Sequence, residues 1–412
     1  MCGRSGTERV EGSNRSAGLG SVGWAFYLAC SWTWVIGMFL PLLLIRDFGW
    51  AGYAAFLVPN ALGAAAMGVV LRGSGSSERF VDRHRTAVWA FSFVTSAFQW
   101  FFLANLLSPP GFSTEAIAIV LVAGLAAAGS LLASRHDAWS KIASVGAWLA
   151  SAGLLAWVIF KGQVGPPAEL LALRGGKPGL PFDGAALGGL VACCGLGFTL
   201  CPYLDRTFHH ACQRAGAGRV VAFALGFLVF FVAMVLGTLL YARPTALRAI
   251  DPVDAVVPLR IALATPIVFH IALQLGFTSG VHGAFLAEDA PHPALRQRSN
   301  AMVMLMAAAL GVLAASVHVP AIAGLSGFEV VYRGFLAFYG LVFPAYVLVC
   351  AMPIGASNAP NKILLRVFAG TVLVAAPFYW LAFMERQYAW ALAGVGIVIA
   401  GGVLARKFRP IG

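Results

Sequence analysis

The sequence predicts an all-α membrane protein of about twelve transmembrane helices, and three observations carry that reading. Of 412 residues, 60% are hydrophobic and only 11% charged, whereas a soluble domain carries roughly 45–50% apolar and about 25% charged residues. The apolar residues fall in runs of about 18–25, the length that crosses a bilayer as helix. Lys and Arg gather in the segments on one side of those runs. A soluble two-domain enzyme is excluded, and the net charge of +12 reflects membrane orientation rather than nucleic-acid binding.

Residues 1–22 form a polar tail with Arg4, Arg9 and Arg15 and no apolar signal core, so it is expected to stay on the chain and in the cytoplasm. Residues 23–160 hold five spans, near Trp24–Ile45, Trp50–Leu71, Ala87–Leu107, Glu115–Leu132 and Ile142–Phe160. A Pro- and Gly-rich extracytoplasmic loop, 161–184, follows. Residues 185–352 hold five more, near Ala185–Leu204, Val220–Tyr241, Leu259–Leu286, Ala301–His318 and Val331–Met352. Residues 353–405 add two, near Leu364–Phe383 and Trp390–Leu404, and 406–412 close the chain as a cytoplasmic tail. With both ends inside, most of the 28 basic residues fall in inner segments, among them Arg79, Arg83, Arg135, Lys141, Arg206, Arg214, Arg219, Arg296, Lys362 and Arg406. That is the positive-inside pattern. The Ala-, Gly- and Arg-rich composition points to a GC-rich prokaryote, hence to a bacterial inner membrane.

Chemistry-bearing residues are sparse within the spans. The acidic residues read as span ends or loops, Asp47, Asp205, Glu288, Asp289 and Glu329 among them. Only His270 and His282, both on the eighth span, approach mid-membrane, where a proton relay is the functional reading and hydrogen-bonded packing the plainer one. The seven cysteines lack paired spacing, and Cys30, Cys193, Cys194 and Cys201 sit in apolar runs as small hydrophobes, so neither disulfides nor structural zinc are expected. The inner loop Asp205–Arg219 carries His209, His210 and Cys212 without ligand spacing, and Arg72–Arg79 is Gly-rich but lacks the Lys-Ser/Thr of a nucleotide loop. Neither a cofactor nor an enzymatic activity is expected.

Two segments echo each other. Gly37-Met-Phe-Leu-Pro41 lies in the first span and Gly197-Phe-Thr-Leu-Cys-Pro202 in the sixth, with Asp47 and Asp205 after them. Gly- or Pro-interrupted spans in corresponding positions of two halves point to a transporter site, because irregular backbone survives in a membrane only where it lines a cavity or is buried in protein.

At these residues the chain resembles transporters of the leucine-transporter fold. Trp34-Val-Ile-Gly-Met-Phe-Leu-Pro41 with Ala55-Phe-Leu-Val-Pro-Asn60 is similar to that fold's first two helices. Pro202-Tyr-Leu-Asp-Arg-Thr-Phe208 and Leu275-Gly-Phe-Thr-Ser279 are similar to segments of sodium:solute symporters. The resemblance implies a 5+5 inverted repeat with broken helices 1 and 6 plus two C-terminal helices. It implies a sodium ion held by hydroxyls of Thr278 and Ser279 and by main chain of Leu275, Ser31 and Trp34. Met38 stands where the family often has an Asn that helps a second ion, which argues against a second sodium. Gly37, Gln99, Trp100, Phe198, Thr199 and Gln274 are the implied solute contacts. Arg46 with Glu329, or Asp47 with Arg333, forms the implied outer gate, and the loop Tyr241–Pro258 folds over the outer vestibule. The expected function is sodium-coupled symport of a small neutral or zwitterionic organic solute, the lipid bilayer being the other partner. A transporter-like receptor that binds solute without moving it is the alternative.

Overall fold

The computed structural model describes residues 20–71, 73, 75–107, 113–162, 183–240, 263, 265–352 and 360–408. Most of the N-terminal tail, most of the loop at 161–184, and the loop at Tyr241–Pro258 lie outside the described residues. Those described are almost wholly helical, and nine of their helices are long and apolar enough to cross a membrane. Leu125, Phe160 and Leu373 each leave more than 70% of their surface exposed, an arrangement that suits hydrocarbon rather than water.

Helix α1 covers 20–32 and α2 covers Val35–Val70. Between them Thr33 and Trp34 leave the helix, Trp34 in an extended conformation. The break therefore falls about a turn before the Gly37–Pro41 segment, which is regular helix. Two indoles mark it: Trp32 donates to Asn60 Oδ1 at 2.6 Å, and Trp34 packs on Tyr339. Helix α2 is itself two helices joined without a loop at Gly49, whose φ of 61° with ψ of −147° suits only glycine.

Next come α3 (Ser76–Arg83), α4 (Arg85–Leu106), α5 (Thr114–Ala133) and α6 (Asp137–Phe160). Helix α7 (Gly184–Leu200) then tightens into a 3₁₀ turn, Cys201–Leu204, stops at Asp205, and resumes as α8 (Arg206–Ala215). Pro202 cannot donate to the preceding turn. Asp205 starts the new helix as its N-cap, its Oδ1 accepting from the Thr207 N–H at 2.7 Å. This corrects the expectation of an inner loop at Asp205–Arg219: residues 205–212 are buried helix and cap.

Helix α9 (Arg219–Leu240) contains a π-helical stretch at Gly226–Phe231, packed where Gly226 meets the Ala25 carbonyl and Phe231 meets Gly37. Helices α10 (Thr265–Gly283), α11 (Asn300–Ser316), α12 (Gly327–Tyr346, ending in a π turn), α13 (Lys362–Phe383) and α14 (Trp390–Ala405) complete the bundle. Helix α10 is buried on nearly every side. Gly276 and Gly280 set its backbone against α5, where a methyl at either position would strike the carbonyl of Ala123 or Ala127.

Candidate functional site

The two helix breaks meet in the core. Thr207, in the first turn of α8, places its hydroxyl 2.6 Å from Asp205 Oδ1 and 3.1 Å from the Ser31 hydroxyl at the end of α1. Asp205 is completely buried. Its second oxygen, Oδ2, has no hydrogen-bond partner and faces His282 Nε2 on α10 at 3.8 Å. The other ring nitrogen of His282 lies 3.2 Å from the Ser92 hydroxyl on α4. A buried acidic side chain here contradicts the sequence expectation that acidic residues stay at span ends. The broken helix holds Asp205 in the interior, where Thr207 and His282 are its polar neighbours and Ser31 and Ser92 are in turn theirs.

Thr278, one turn before His282, donates to the Cys30 carbonyl at 3.1 Å, tying α10 to α1 where α1 ends. The residues expected around sodium come together only in part. Thr278 and Ser31 share this seam, but Ser279 projects toward α4 and accepts the Trp100 indole N–H at 2.9 Å. The Trp34 carbonyl is taken by the Met38 N–H, and Leu275 is buried within α10. Consecutive residues of a helix point about 100° apart, which is why Thr278 and Ser279 serve different neighbours.

The expected solute contacts also divide. Gln99 reaches the break, its Oε1 accepting from the Val35 N–H at 3.4 Å and thereby capping the exposed start of α2. Gln274 bonds Ser151 on α6 at 2.7 Å. Gly37 packs against Phe231, and Trp100 is spent on Ser279. Phe198 and Gly197 line a narrow apolar cavity of about 50 Å3 with Ile36, Leu40, Cys193 and Tyr339. Thr199 is exposed and bonds back to the Gly195 carbonyl, so it does not face the cavity as expected. His270 is buried with both ring nitrogens unpartnered.

Above this cavity, four charges close one end of the bundle. Arg46 grips Glu329 through both terminal nitrogens, at 2.5 and 3.2 Å, and reaches Asp47 at 2.9 Å. Arg333 bonds Asp47 at 2.6 Å and Glu329 at 2.7 Å. All four expected residues are thus joined in one network, both pairings being present together. Tyr388, between α13 and α14, adds a contact to Arg333 Nη1 and also lines the cavity. Burial pushes its hydroxyl up to about 12, so it keeps its proton at neutral pH.

At the opposite end, beyond Asp205, lies an open vestibule of about 690 Å3, lined in part by Arg135, Arg206, His210, Arg214 and Arg296. Arg206 spans to Asp289 at 3.0 Å and stacks its guanidinium over Phe285. Helix α3 is fastened to α8 here, with the Ser77 hydroxyl 2.9 Å from His209 Nδ1.

Asp205, Thr207, Ser92 and Tyr388 were missed as site residues in the sequence. The available signal was the run Pro202-Tyr-Leu-Asp-Arg-Thr, a helix stop followed within three residues by an N-cap.

No protein-family model matches this chain, and no curated protein matches it in sequence. In structure it is similar to a nucleobase-cation-symport-1 family transporter in a closed conformation with bromovinylhydantoin bound, with a TM-score of 0.49 and 15% identity, covering 95% of this chain and 94% of that one.

Proposed function

We propose that this chain is a secondary active transporter that carries a small organic solute across the membrane by alternating access. The observation that carries the reading is the meeting of two broken helices in the core, between a charge cluster sealing one end and a vestibule open at the other. Breaks free backbone groups that a membrane tolerates only in a working interior, and their spacing five spans apart supports an inverted repeat of 23–160 and 185–352. The Arg46 end is assigned to the outside and the Arg206 end to the cytoplasm, with both termini cytoplasmic in a bacterial inner membrane. The molecule as described then faces inward.

The cavity offers apolar walls, thiols and the Tyr339 ring, which suit a small neutral solute; a zwitterion would also need main-chain groups freed at the helix breaks to meet its charges. Sodium is the coupling ion that the resemblance implies, and the Ser31 and Thr278 hydroxyls beside the Cys30 carbonyl support a place for it at the α1–α10 seam. Coupling requires that ion and solute bind the two states unequally; tight binding alone shifts nothing.

The test reconstitutes the chain in proteoliposomes and screens radiolabelled neutral and zwitterionic solutes for uptake under sodium and pH gradients. Accumulation driven by either gradient is the expected result. Solute binding with no flux under any gradient would replace the carrier with a receptor.

A further inference from the structure

We infer that Asp205 and His282 form a proton-binding site, in which one proton is held between the break before α8 and helix α10. The inference rests on the transporter reading for its use in coupling, and on geometry alone for the site. A fully buried carboxylate oxygen with no hydrogen-bond donor is costly unless the group is neutral or faces a cation. His282 Nε2, 3.8 Å away, can meet that need once protonated. Protonating either member removes the uncompensated charge: a proton on His282 gives an ion pair, and a proton on Asp205 gives a neutral acid beside a neutral imidazole. The proton comes from water in the vestibule and returns there, with no other bond made or broken. Arg206, the next residue along the chain, forms part of that vestibule's wall.

Among the described residues, His282 alone among the basic side chains comes within ion-pair distance of Asp205. The Tyr27 hydroxyl on α1, the Tyr339 hydroxyl on α12 and the Cys201 thiol lie within electrostatic range of Asp205, and Arg206 follows it on α8. Arg206 is directed to Asp289 and Phe285 instead. Thr207 and Ser31 bring hydroxyls alone. On the α4 side His282 meets Ser92 and the ring of Phe91. The pair also joins two separately packed elements, Asp205 lying at a helix break and His282 on a helix clamped to α5. A proton that stabilises this bridge in one state only is a coupling ion.

Infrared difference spectroscopy of the purified full-length chain during an acid titration tests the site. The expected result is a buried-carboxyl band that vanishes in Asp205→Asn, and whose midpoint moves by about one pH unit or more in His282→Gln. The more conservative Asp205→Glu retains a titrating band at a changed midpoint, which assigns the band to this side chain, and a melting curve of Asp205→Asn matching the unaltered chain shows that its loss of the band is not misfolding. A band unchanged in Asp205→Asn, or a midpoint that follows sodium concentration against potassium, overturns the proposal. Solute flux is scored separately. Uptake indifferent to a pH gradient leaves the carrier and removes the proton site from its coupling; a titrating Asp205 in a chain that moves no solute keeps the site and removes the carrier.

Discussion

Glu329 offers the sharpest test of whether the Arg46 end opens. Its side chain is 2% exposed and accepts from Arg46 and Arg333. Glu329→Gln keeps its shape but leaves two guanidiniums facing the single carboxylate of Asp47. Removing one partner of a buried pair costs about 3–5 kcal/mol; the Arg46 side chain is 15% exposed, so we take the lower end, about 3 kcal/mol. If that energy holds this end closed, its loss raises the open population by about two decades, at roughly 1.4 kcal/mol per tenfold. Cys193 and Cys194 line the cavity beneath the cluster and report the opening. In a chain whose other cysteines are replaced, a membrane-impermeant thiol reagent added on the Arg46 side labels them about 100-fold faster in Glu329→Gln than with Glu329 intact. Pairing the change with Arg46→Met, which restores charge balance, recovers part of the slow rate. An unchanged labelling rate in a folded Glu329→Gln protein refutes the gate and leaves the cluster a structural staple.

Three further outcomes follow from packing, backbone and charge. Gly276→Val drives a branched side chain into the Ala123 carbonyl and costs at least the 1–3 kcal/mol typical of overpacking, read as a lower melting temperature in detergent. Gly49→Ala forces a side chain into a φ of 61° with ψ of −147°, costing about 1–3 kcal/mol, whereas Gly195→Ala, inside a helix with open space around it, loses nothing and gains up to about 1 kcal/mol. His84, buried at the start of α4 beside the Tyr346 hydroxyl, has its imidazole pushed down to about 4 by burial. The native state therefore prefers the neutral ring. Stability from this preference is complete above about pH 6.5, where the unfolded group is also neutral, and fades as pH falls toward 4, by about 3 kcal/mol in all. Melting curves between pH 7 and 4 show a shallower decline in His84→Gln.

The helical framework was legible because it depends on run length and hydropathy, which are local. Each predicted span overlaps a helical stretch, and Gly49 divides α2 just before the predicted start of the second span at Trp50. The charge cluster was legible as pairs, because Arg46 with Asp47 and Glu329 with Arg333 stand at span ends that the resemblance brings together. The core site was not. In a linear reading a charge after a Pro-terminated apolar run marks the membrane boundary, so Asp205 and Arg206 were placed in a loop. What returns them to the interior is long-range: Ser31 on α1, His282 on α10 and Asp289 beyond it supply partners that no window around residue 205 contains. The break at Thr33–Trp34 was misplaced for a similar reason. Pro41 suggested it, yet Asn60, Gln99 and Tyr339, all distant in sequence, hold the chain open a turn earlier.

Adjacent residues on α8 join the core to the vestibule, and that adjacency makes coupling testable. Asp205 faces His282 while Arg206 is anchored to Asp289, so displacing the start of α8 disturbs both contacts. Asp289→Asn weakens the vestibule anchor without altering the Asp205–His282 pair itself. Coupling free energies are reciprocal: if α8 occupies different positions in the two states, loosening its anchor changes the state populations and therefore the apparent proton affinity at Asp205. A shift of the Asp205 infrared midpoint in Asp289→Asn, absent in Asp82→Asn as a control for loss of an exposed acidic charge, is the expected result. Asp82 undergoes the same change of charge, is well exposed and pairs with Arg85 rather than with α8, so its neutralisation leaves the Arg206–Asp289 anchor in place. Equal midpoints in the Asp289→Asn and unaltered chains would mean that the vestibule anchor and the proton pair act independently, and that α8 does not connect them.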